Sequence, residues 1–297
     1  MKALITGSGG QVGRALAAAA PASVDVLALN RHDLDIGDAS SVAACLERFA
    51  PDVILNAAAY TAVDKAEQEP DAAKRVNETG ALNLARAVRA SGRCRLIHVS
   101  TDFVFDGNSA LPYTPDSPVR PLSVYGQTKL DGERRVRDEL GDAAVILRTS
   151  WVYDAAGRNF LRTMLRLMKE RGSVRVVADQ VGTPTAAHSV ADVLWRLAQA
   201  PTVSGVFHWS DAGVASWYDF AVAIAEDAAT MGLLPTTVEV APIATAEYPT
   251  PARRPAFSVL DKRATVAALA ITPVHWRRNL RGVIGALSRM IGEEASA

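Results

Sequence analysis

The sequence predicts an α/β protein built on a doubly wound parallel sheet, followed by a smaller mixed α/β region. Three observations carry this. Short apolar strands alternate with helical stretches of about ten or more residues. A glycine-rich turn follows the first strand directly. The alternation loosens after Arg148.

Lys2 to Thr6 reads as a buried strand, Gly7 to Gly13 as the turn and Gln11 to Ala20 as a helix. Val24 to Leu29 is the second strand. Asp38 is placed to cap a helix that runs to Ala50, because Asp accepts the free N–H groups of a first turn and Pro51 cannot continue a helix. Asp52 to Asn56 is a strand. Pro70 suits a first helical position, and that helix runs to about Ser91. A strand over Arg95 to Ser100, a helix over about Ser123 to Glu139 and a strand over Ala143 to Leu147 complete the alternation. Beyond Arg148 prolines cluster between Pro242 and Pro255, and strands are expected to be rare.

The 297 residues include 32 Lys plus Arg and 32 Asp plus Glu, so the formal net charge is zero. No summed positive field draws such a chain to nucleic acid or to an anionic membrane surface. An anionic small molecule held by a few placed groups is compatible with it. No stretch approaches the roughly 20 apolar residues of a membrane span, and the apolar run ahead of Gly7 is too short for a secretory signal. Cys45 and Cys94 cannot build a disulfide framework, and no His/Cys cluster has metal-ligand spacing. Two free thiols in a reducing cytoplasm are the expectation.

The segment T-G-S-G-G-Q-V-G sets Gly7, Gly10 and Gly13 at intervals of three. In a Rossmann-type turn the first glycine permits the tight bend and the second lets backbone approach a pyrophosphate. The third lets the helix lie close on the sheet. The phosphates rest on the free N–H groups that open the helix. The second strand ends Leu29-Asn30-Arg31, where a site for NAD usually carries a carboxylate. Asn30 removes that charge and Arg31 can reach a 2′-phosphate, which favours NADPH over NADH.

V-Y-G-Q-T-K sets Tyr125 and Lys129 four residues apart, on one face of a helix. A Tyr that donates a proton near neutral pH needs its pKa lowered by about 3 units, or about 4 kcal/mol. A Lys ammonium about 4 Å away supplies roughly that much at an effective dielectric of about 20. Thr101 follows the strand over Arg95 to Ser100, at the end where a doubly wound sheet opens into its cofactor crevice. With Ser100 beside it, Thr101 is the candidate to polarise a carbonyl. The expected organisation is a cofactor domain over 1–150, with a return to it around 174–200, and a mainly substrate-binding domain over 151–297.

This pattern resembles the extended branch of the short-chain dehydrogenase/reductase superfamily and, more closely, the dTDP-4-dehydrorhamnose reductases. The matching segments span nearly the whole chain: G-Q-V-G at Gly10 to Gly13, P-D-V-I-L-N-A-A-A-Y-T-A-V-D-K-A-E at Pro51 to Glu67, S-T-D-F-V-F-D-G at Ser100 to Gly107, and V-Y-G-Q-T-K at Val124 to Lys129. R-T-S-W-V-Y at Arg148 to Tyr153, D-Q-V-G-T-P-T at Asp179 to Thr185 and Y-P-T-P-A-R-R-P at Tyr248 to Pro255 follow. The Trp151 segment and the late Arg-Pro segment are the more specific ones.

The resemblance implies NADPH-dependent reduction of the C4 keto group of dTDP-4-dehydro-6-deoxy-L-mannose to give dTDP-L-rhamnose. That is the last step of dTDP-rhamnose biosynthesis, which serves cell-wall polysaccharide and lipopolysaccharide. Tyr125 would donate the proton, Lys129 would tune Tyr125 and hold the ribose, and Thr101 would orient the carbonyl oxygen. Gly10, Gln11 and Val12 match the phosphate turn, and Asn30, Asp35 and Ile36 the ribose and adenine positions. Ala59, Tyr60 and Thr61 match the loop at a strand end. Val63, Thr101, Asp102 and Trp151 match substrate positions. Trp151 offers a flat face to a sugar ring, and Arg254 a bidentate fork to the substrate pyrophosphate. Asp64, Lys65 and Glu67 read as a solvated or loop-ordering cluster without chemistry.

Some members of the family pair through Mg²⁺ held by carboxylates. The matching positions here are Ala15 and His188, so Mg²⁺, which prefers carboxylate oxygen, is not expected. A monomer or a weak homodimer is. Two other readings stand beside this one. A nucleotide-sugar epimerase or dehydratase of the same superfamily would retain NAD⁺. A non-catalytic NADP-binding regulatory subunit would have no need of the intact Thr101, Tyr125 and Lys129.

Overall fold

The computed structural model describes residues 1–296. β1 (Lys2–Thr6), α1 (Gln11–Ala18), β2 (Asp25–Leu29), α2 (Ala39–Phe49) and β3 (Val53–Asn56) succeed one another as the alternation predicts. Two short helices, α3 (Val63–Ala66) and α4 (Pro70–Lys74), precede a π-turn at Arg75–Thr79 and then α5 (Gly80–Ser91). β4 (Arg95–Thr101), α6 (Val124–Leu140) and β5 (Val145–Thr149) follow. The later half holds β6 (Val152–Tyr153), α7 (Phe160–Arg171), β7 (Ser173–Val177), β8 (Val181–Gly182), β9 (Thr185–Ala186) and α8 (Ala187–Gln199). It continues with β10 (Gly205–His208), β11 (Ala215–Ser216), α9 (Trp217–Thr230), β12 (Glu239–Ile243), α10 (Arg263–Leu269) and α11 (Trp276–Ser296).

Six parallel strands form the main sheet in the order β2-β1-β3-β4-β5-β10. β1 lies between β2 and β3, so the winding direction reverses there and a crevice opens beyond the carboxyl ends of the strands. Both faces of the sheet are covered. Side chains alternate along a strand, so Ala3, Ile5, Val53, Leu55, Ile97, Val145 and Leu147 pack with α1 and α8. Their neighbours Leu4, Ile54, Leu96 and Ile146 pack toward α2 and α5 on the other face. That two-sided burial is why these strands read as unbroken apolar runs. Trp195 of α8 donates its indole N–H to Leu16 O of α1 at 3.0 Å, joining the later half to the first crossover helix. A separate core, including Leu161, Met168, Phe220, Ile224, Leu280 and Ile284, gathers α7, α9 and α11.

The structure refines one expectation and corrects another. The helix predicted over Pro70 to Ser91 is present without a gap, but a π-turn at Arg75–Thr79 widens it. Its residues Asn77 and Glu78 are buried polar groups with partners outside the turn: Asn77 pairs with the backbone of Tyr60, and Glu78 accepts from Arg135 of α6 at 2.9 and 3.0 Å. An extra residue in a turn leaves no trace in a helical period. Strands are also not rare after Arg148. Seven occur among the described residues, but β6, β8, β9 and β11 are two residues long, too short to show any alternation.

No helix among the described residues is long and apolar enough to cross a membrane. Cys45 and Cys94 are buried free thiols, and burial pushes Cys94 up to about 12.

Candidate active site

The glycine turn builds one wall of the crevice. Gly7 has φ +72°, and a Cβ there would lie 2.6 Å from the Ala58 backbone. A Cβ on Gly13 would overlap the Gly7 carbonyl, so α1 can approach β1 this closely only with glycine at that position. Gly10 N–H donates to Gly7 O at 2.9 Å. α1 begins with no side-chain cap and no acidic residue in its first turn, so its positive end faces the crevice unneutralised. Gln11 Nε2 donates to Val152 O at 3.2 Å, while Gln11 Oε1 and Ser100 Oγ are buried without a partner. An uncapped helix start and unpaired buried polar atoms fit a dinucleotide.

The opposite wall is α6. Ser123 caps it by accepting the Gly126 N–H at 3.2 Å, and Tyr125 and Lys129 follow on one face. Both are buried. Tyr125 lies among Ala66, Ala73, Tyr60 and Val63, edge-on to Phe103 with ring centroids 5.5 Å apart. Thr101 stands close enough to the Tyr125 phenol to act on its acidity. Thr101 Oγ1 also donates to Asp102 Oδ1 at 3.1 Å. Lys129 Nζ donates to Val99 O at 2.6 Å, beside His98 Nε2 at 3.5 Å. Thr101, Asp102, Tyr125 and Lys129 thus stand together at the carboxyl end of β4.

Burial dominates the electrostatics here. It pushes the Tyr125 phenol up to about 12, with neighbouring Thr101 pulling down and the Asp102 charge pushing up. It pushes Lys129 down to about 8, partly offset by the charge of Glu133. Asp102 is raised to about 6 by burial, with neighbouring Ser258 and Thr101 pulling the other way. The lowering of Tyr125 expected from Lys129 is not realised in this arrangement. The ammonium is engaged by the Val99 carbonyl, and desolvation of the phenol outweighs the pull of Thr101.

The remaining expected residues divide into several groups. Asn30 accepts the His32 N–H at 2.7 Å, and Arg31 is exposed beside it. Asp35 accepts the Gly37 N–H at 2.9 Å and pairs with Arg75. Ile36 is a core residue whose carbonyl accepts from Asn83. Ala59, Tyr60 and Thr61 form the loop after β3, where Asn77 Oδ1 accepts the Tyr60 N–H at 2.8 Å and Glu69 accepts the phenol at 2.9 Å. Trp151 has φ +47° and lies flat on Trp217, with centroids 3.5 Å apart and planes 4° apart, so one of its faces is already covered. The Arg254 fork is engaged by Asp64, at 2.8 Å (Nη2 to Oδ2) and 3.1 Å (Nη1 to Oδ1).

Asp64 and Glu67, read from the sequence as a solvated or loop-ordering cluster, do order the site: Asp64 holds Arg254, and Glu67 accepts the Val124 N–H that opens α6. Sequence reasoning missed other residues that order it. Asn77 fixes the Tyr60 loop, and Trp217 backs Trp151. Asn56 and His98 stand beneath Lys129. The segment from Asp64 to Glu67 was visible as a charged cluster, but its partners lie far along the chain. Among the described residues, no group of three or more His, Cys, Asp or Glu is placed to hold a metal.

Residues 1–289 match the family described as RmlD substrate binding domain. The chain is 44% identical over 287 residues to a dTDP-4-dehydrorhamnose reductase of Burkholderia thailandensis, covering 93% of this chain and 96% of that protein. It is similar to the crystal structure of a dTDP-4-dehydrorhamnose reductase from Clostridium acetobutylicum, at 38% identity and TM-score 0.90, covering 97% and 99% of the two chains. The enzyme of the same name from Bacillus anthracis, solved in complex with NADP, matches at 33% identity and TM-score 0.88, covering 95% and 98%. The chain belongs to the RmlD substrate-binding-domain family and, with it, to the dTDP-4-dehydrorhamnose reductases, which are NAD(P)H-dependent oxidoreductases.

Proposed function

We propose that the protein reduces the C4 keto group of dTDP-4-dehydro-6-deoxy-L-mannose with NADPH, giving dTDP-L-rhamnose. The observation that carries this reading is the gathering of Thr101, Tyr125 and Lys129, all buried, at the crevice end of β4, with Lys129 Nζ held on the Val99 carbonyl of that strand. Bound NADPH supplies the hydride for the carbonyl carbon.

The chain's own residues do the rest. Gly7, Gly10, Gln11, Val12 and Gly13 hold the pyrophosphate on the open end of α1. Asn30 and Arg31 hold the adenosine ribose and its 2′-phosphate, with Asp35, Ile36, Ala59, Tyr60 and Thr61 lining that side. Thr101 and Tyr125 donate to the same carbonyl oxygen. The phenol proton moves onto that oxygen as negative charge develops there. Lys129 holds the nicotinamide ribose and returns a proton to the phenolate. Val63, Asp102 and Trp151 bound the sugar, and Arg254 meets the substrate pyrophosphate by exchanging Asp64 for it. The buried thiols of Cys45 and Cys94 suit a reducing compartment.

Purified protein, NADPH and the keto-sugar test this directly, with the product identified by NMR. NADPH consumption giving dTDP-L-rhamnose is expected, and Tyr125→Phe should lose about 100-fold or more in kcat. Undiminished turnover in Tyr125→Phe removes the acid assignment. No NADPH consumption in the wild type removes the substrate.

A further inference from the structure

A buried polar chain crosses the sheet beneath Lys129. Thr6 Oγ1 on β1 donates to Asn56 Oδ1 on β3 at 2.7 Å, and the Ala58 N–H donates to the same oxygen at 3.2 Å. A backbone N–H only donates, so the amide oxygen of Asn56 must face Ala58 and its Nδ2 must face the other way. That Nδ2 lies 2.8 Å from His98 Nδ1 on β4. An amide NH₂ cannot accept, so His98 Nδ1 carries a lone pair and the neutral ring holds its proton on Nε2. Nε2 in turn lies 3.5 Å from Lys129 Nζ. Facing an ammonium, Nε2–H sets donor against donor. Facing a neutral amine, it meets a lone pair, while Nζ still donates to Val99 O.

We propose that His98 is a positioning residue for the reductase reaction: Asn56 locks it as the Nε2–H tautomer, and it receives the lone pair that forms on Lys129 when Lys129 passes a proton to the Tyr125 phenolate. This rests on the reading of Tyr125 as the acid. In that step an N–H bond of Lys129 breaks and the phenol O–H bond forms. His98 keeps its proton throughout, and a solvent proton restores the ammonium before the next turnover. The other groups around Lys129 are known. On α6 they are Tyr125 and Glu133, the latter held by Arg148 of β5, and Asp102 after β4 acts on Tyr125. Glu133 favours the ammonium, whereas burial and the His98 N–H oppose it. Burial and then the charge of Lys129 keep His98 well below its ordinary value, consistent with a neutral ring.

Long-range ¹H–¹⁵N correlation on histidine-labelled wild type, with the His98 signals assigned by their absence in His98→Gln, should show Nε2–H. An Nδ1–H tautomer overturns the proposal. In His98→Leu, Lys129 holds its proton more tightly, so the basic limb of the kcat–pH profile moves up. Because a tighter proton is handed over less readily, kcat falls about five- to tenfold, the size of one lost hydrogen bond. KM for the keto-sugar stays unchanged, and His98→Gln, which can place an amide N–H near Nζ, restores part of the rate. Unaltered kcat and pH profile in folded His98→Leu overturn the proposal; if that variant does not fold, the tautomer and the His98→Gln profile decide. Tyr125→Phe is assayed alongside. Loss there with normal His98→Leu overturns the role of His98 alone, whereas full turnover there overturns this role together with the acid assignment.

Discussion

The Glu67 carboxylate accepts the backbone N–H of Val124 at 2.8 Å, across 57 positions of sequence. Val124 is the first residue of α6, and Tyr125 is the next. A carboxylate at the positive end of a helix satisfies a free N–H and meets the helix dipole. The orientation of Tyr125 is thereby tied to the segment after β3, which also carries Tyr60 and the Asp64 that grips Arg254.

Glu67→Ala is expected to lower stability by about 1 kcal/mol, the usual size of a lost cap. Because the loss falls on the first turn of α6, kcat should drop several-fold as well. Glu67→Gln keeps an acceptor in place and should recover most of both. Urea denaturation and steady-state kinetics on the pair check this. A stable, fully active Glu67→Ala would mean that Ser123 alone sets the start of α6.

Arg148 and Glu133 form a two-pronged ion pair, at 2.9 Å (Nε to Oε1) and 2.7 Å (Nη2 to Oε2), with both side chains almost fully buried. Removing one partner leaves the other charge buried and unpaired, which destabilises by about 3–5 kcal/mol. Arg148→Met and Glu133→Leu should each lose that much in denaturant unfolding. Arg148→Met combined with Glu133→Leu should lose far less than the two single losses together, since no orphan charge remains. Additive losses would instead assign the effect to packing.

What was legible in the chain was whatever lies within one local window. Gly7, Gly10 and Gly13 sit in one turn, and Tyr125 and Lys129 on one helix face, so spacing alone exposes them. β1, β3, β4 and β5 are buried on both faces, and burial writes itself as apolar runs. Asp64 and Arg254 lie 190 positions apart, and only the closed fold makes them partners. His98 is one imidazole inside an apolar strand, with no period or motif to mark it. The π-turn and the two-residue strands escape for a related reason: each is shorter than the repeat a pattern needs to be seen.

Asp102 gives the site a pH signature. Burial raises its carboxyl from 3.8 to about 6. A carboxyl raised by folding contributes stability that is full below its unfolded value and lost as pH rises through the folded one. Between about pH 4 and pH 7 this group should therefore lower wild-type stability by about 2–3 kcal/mol, two units at about 1.4 kcal/mol each. Asp102→Asn removes that slope, so the variant gains on the wild type as pH rises across the window. Unfolding free energies at the two ends measure it. An offset between the two proteins that is the same at both ends would show that Asp102 does not titrate there.

The Trp151–Trp217 stack bears on the sugar contact proposed for Trp151. Trp151 holds φ +47°, a left-handed conformation that a bulky residue adopts at a strain of about 1–3 kcal/mol. Trp217 covers one of its faces at 3.5 Å, and the Thr185 N–H donates to its carbonyl at 3.2 Å. Gly182 closes on the indole edge, where a Cβ would come within 2.6 Å of the ring. The ring is thus clamped on one face and along one edge, and its free surface is what a sugar can meet. Trp217→Ala releases the clamp without touching Thr101, Tyr125 or Lys129. KM for the keto-sugar should rise about five- to tenfold, the size of a lost aromatic pair, while kcat changes little because Tyr125, the proposed proton donor, is unmoved. Trp217→Phe keeps a stacking face and should restore most of the affinity. A drop in kcat at unchanged KM would reverse this assignment and place the stack in the chemical step.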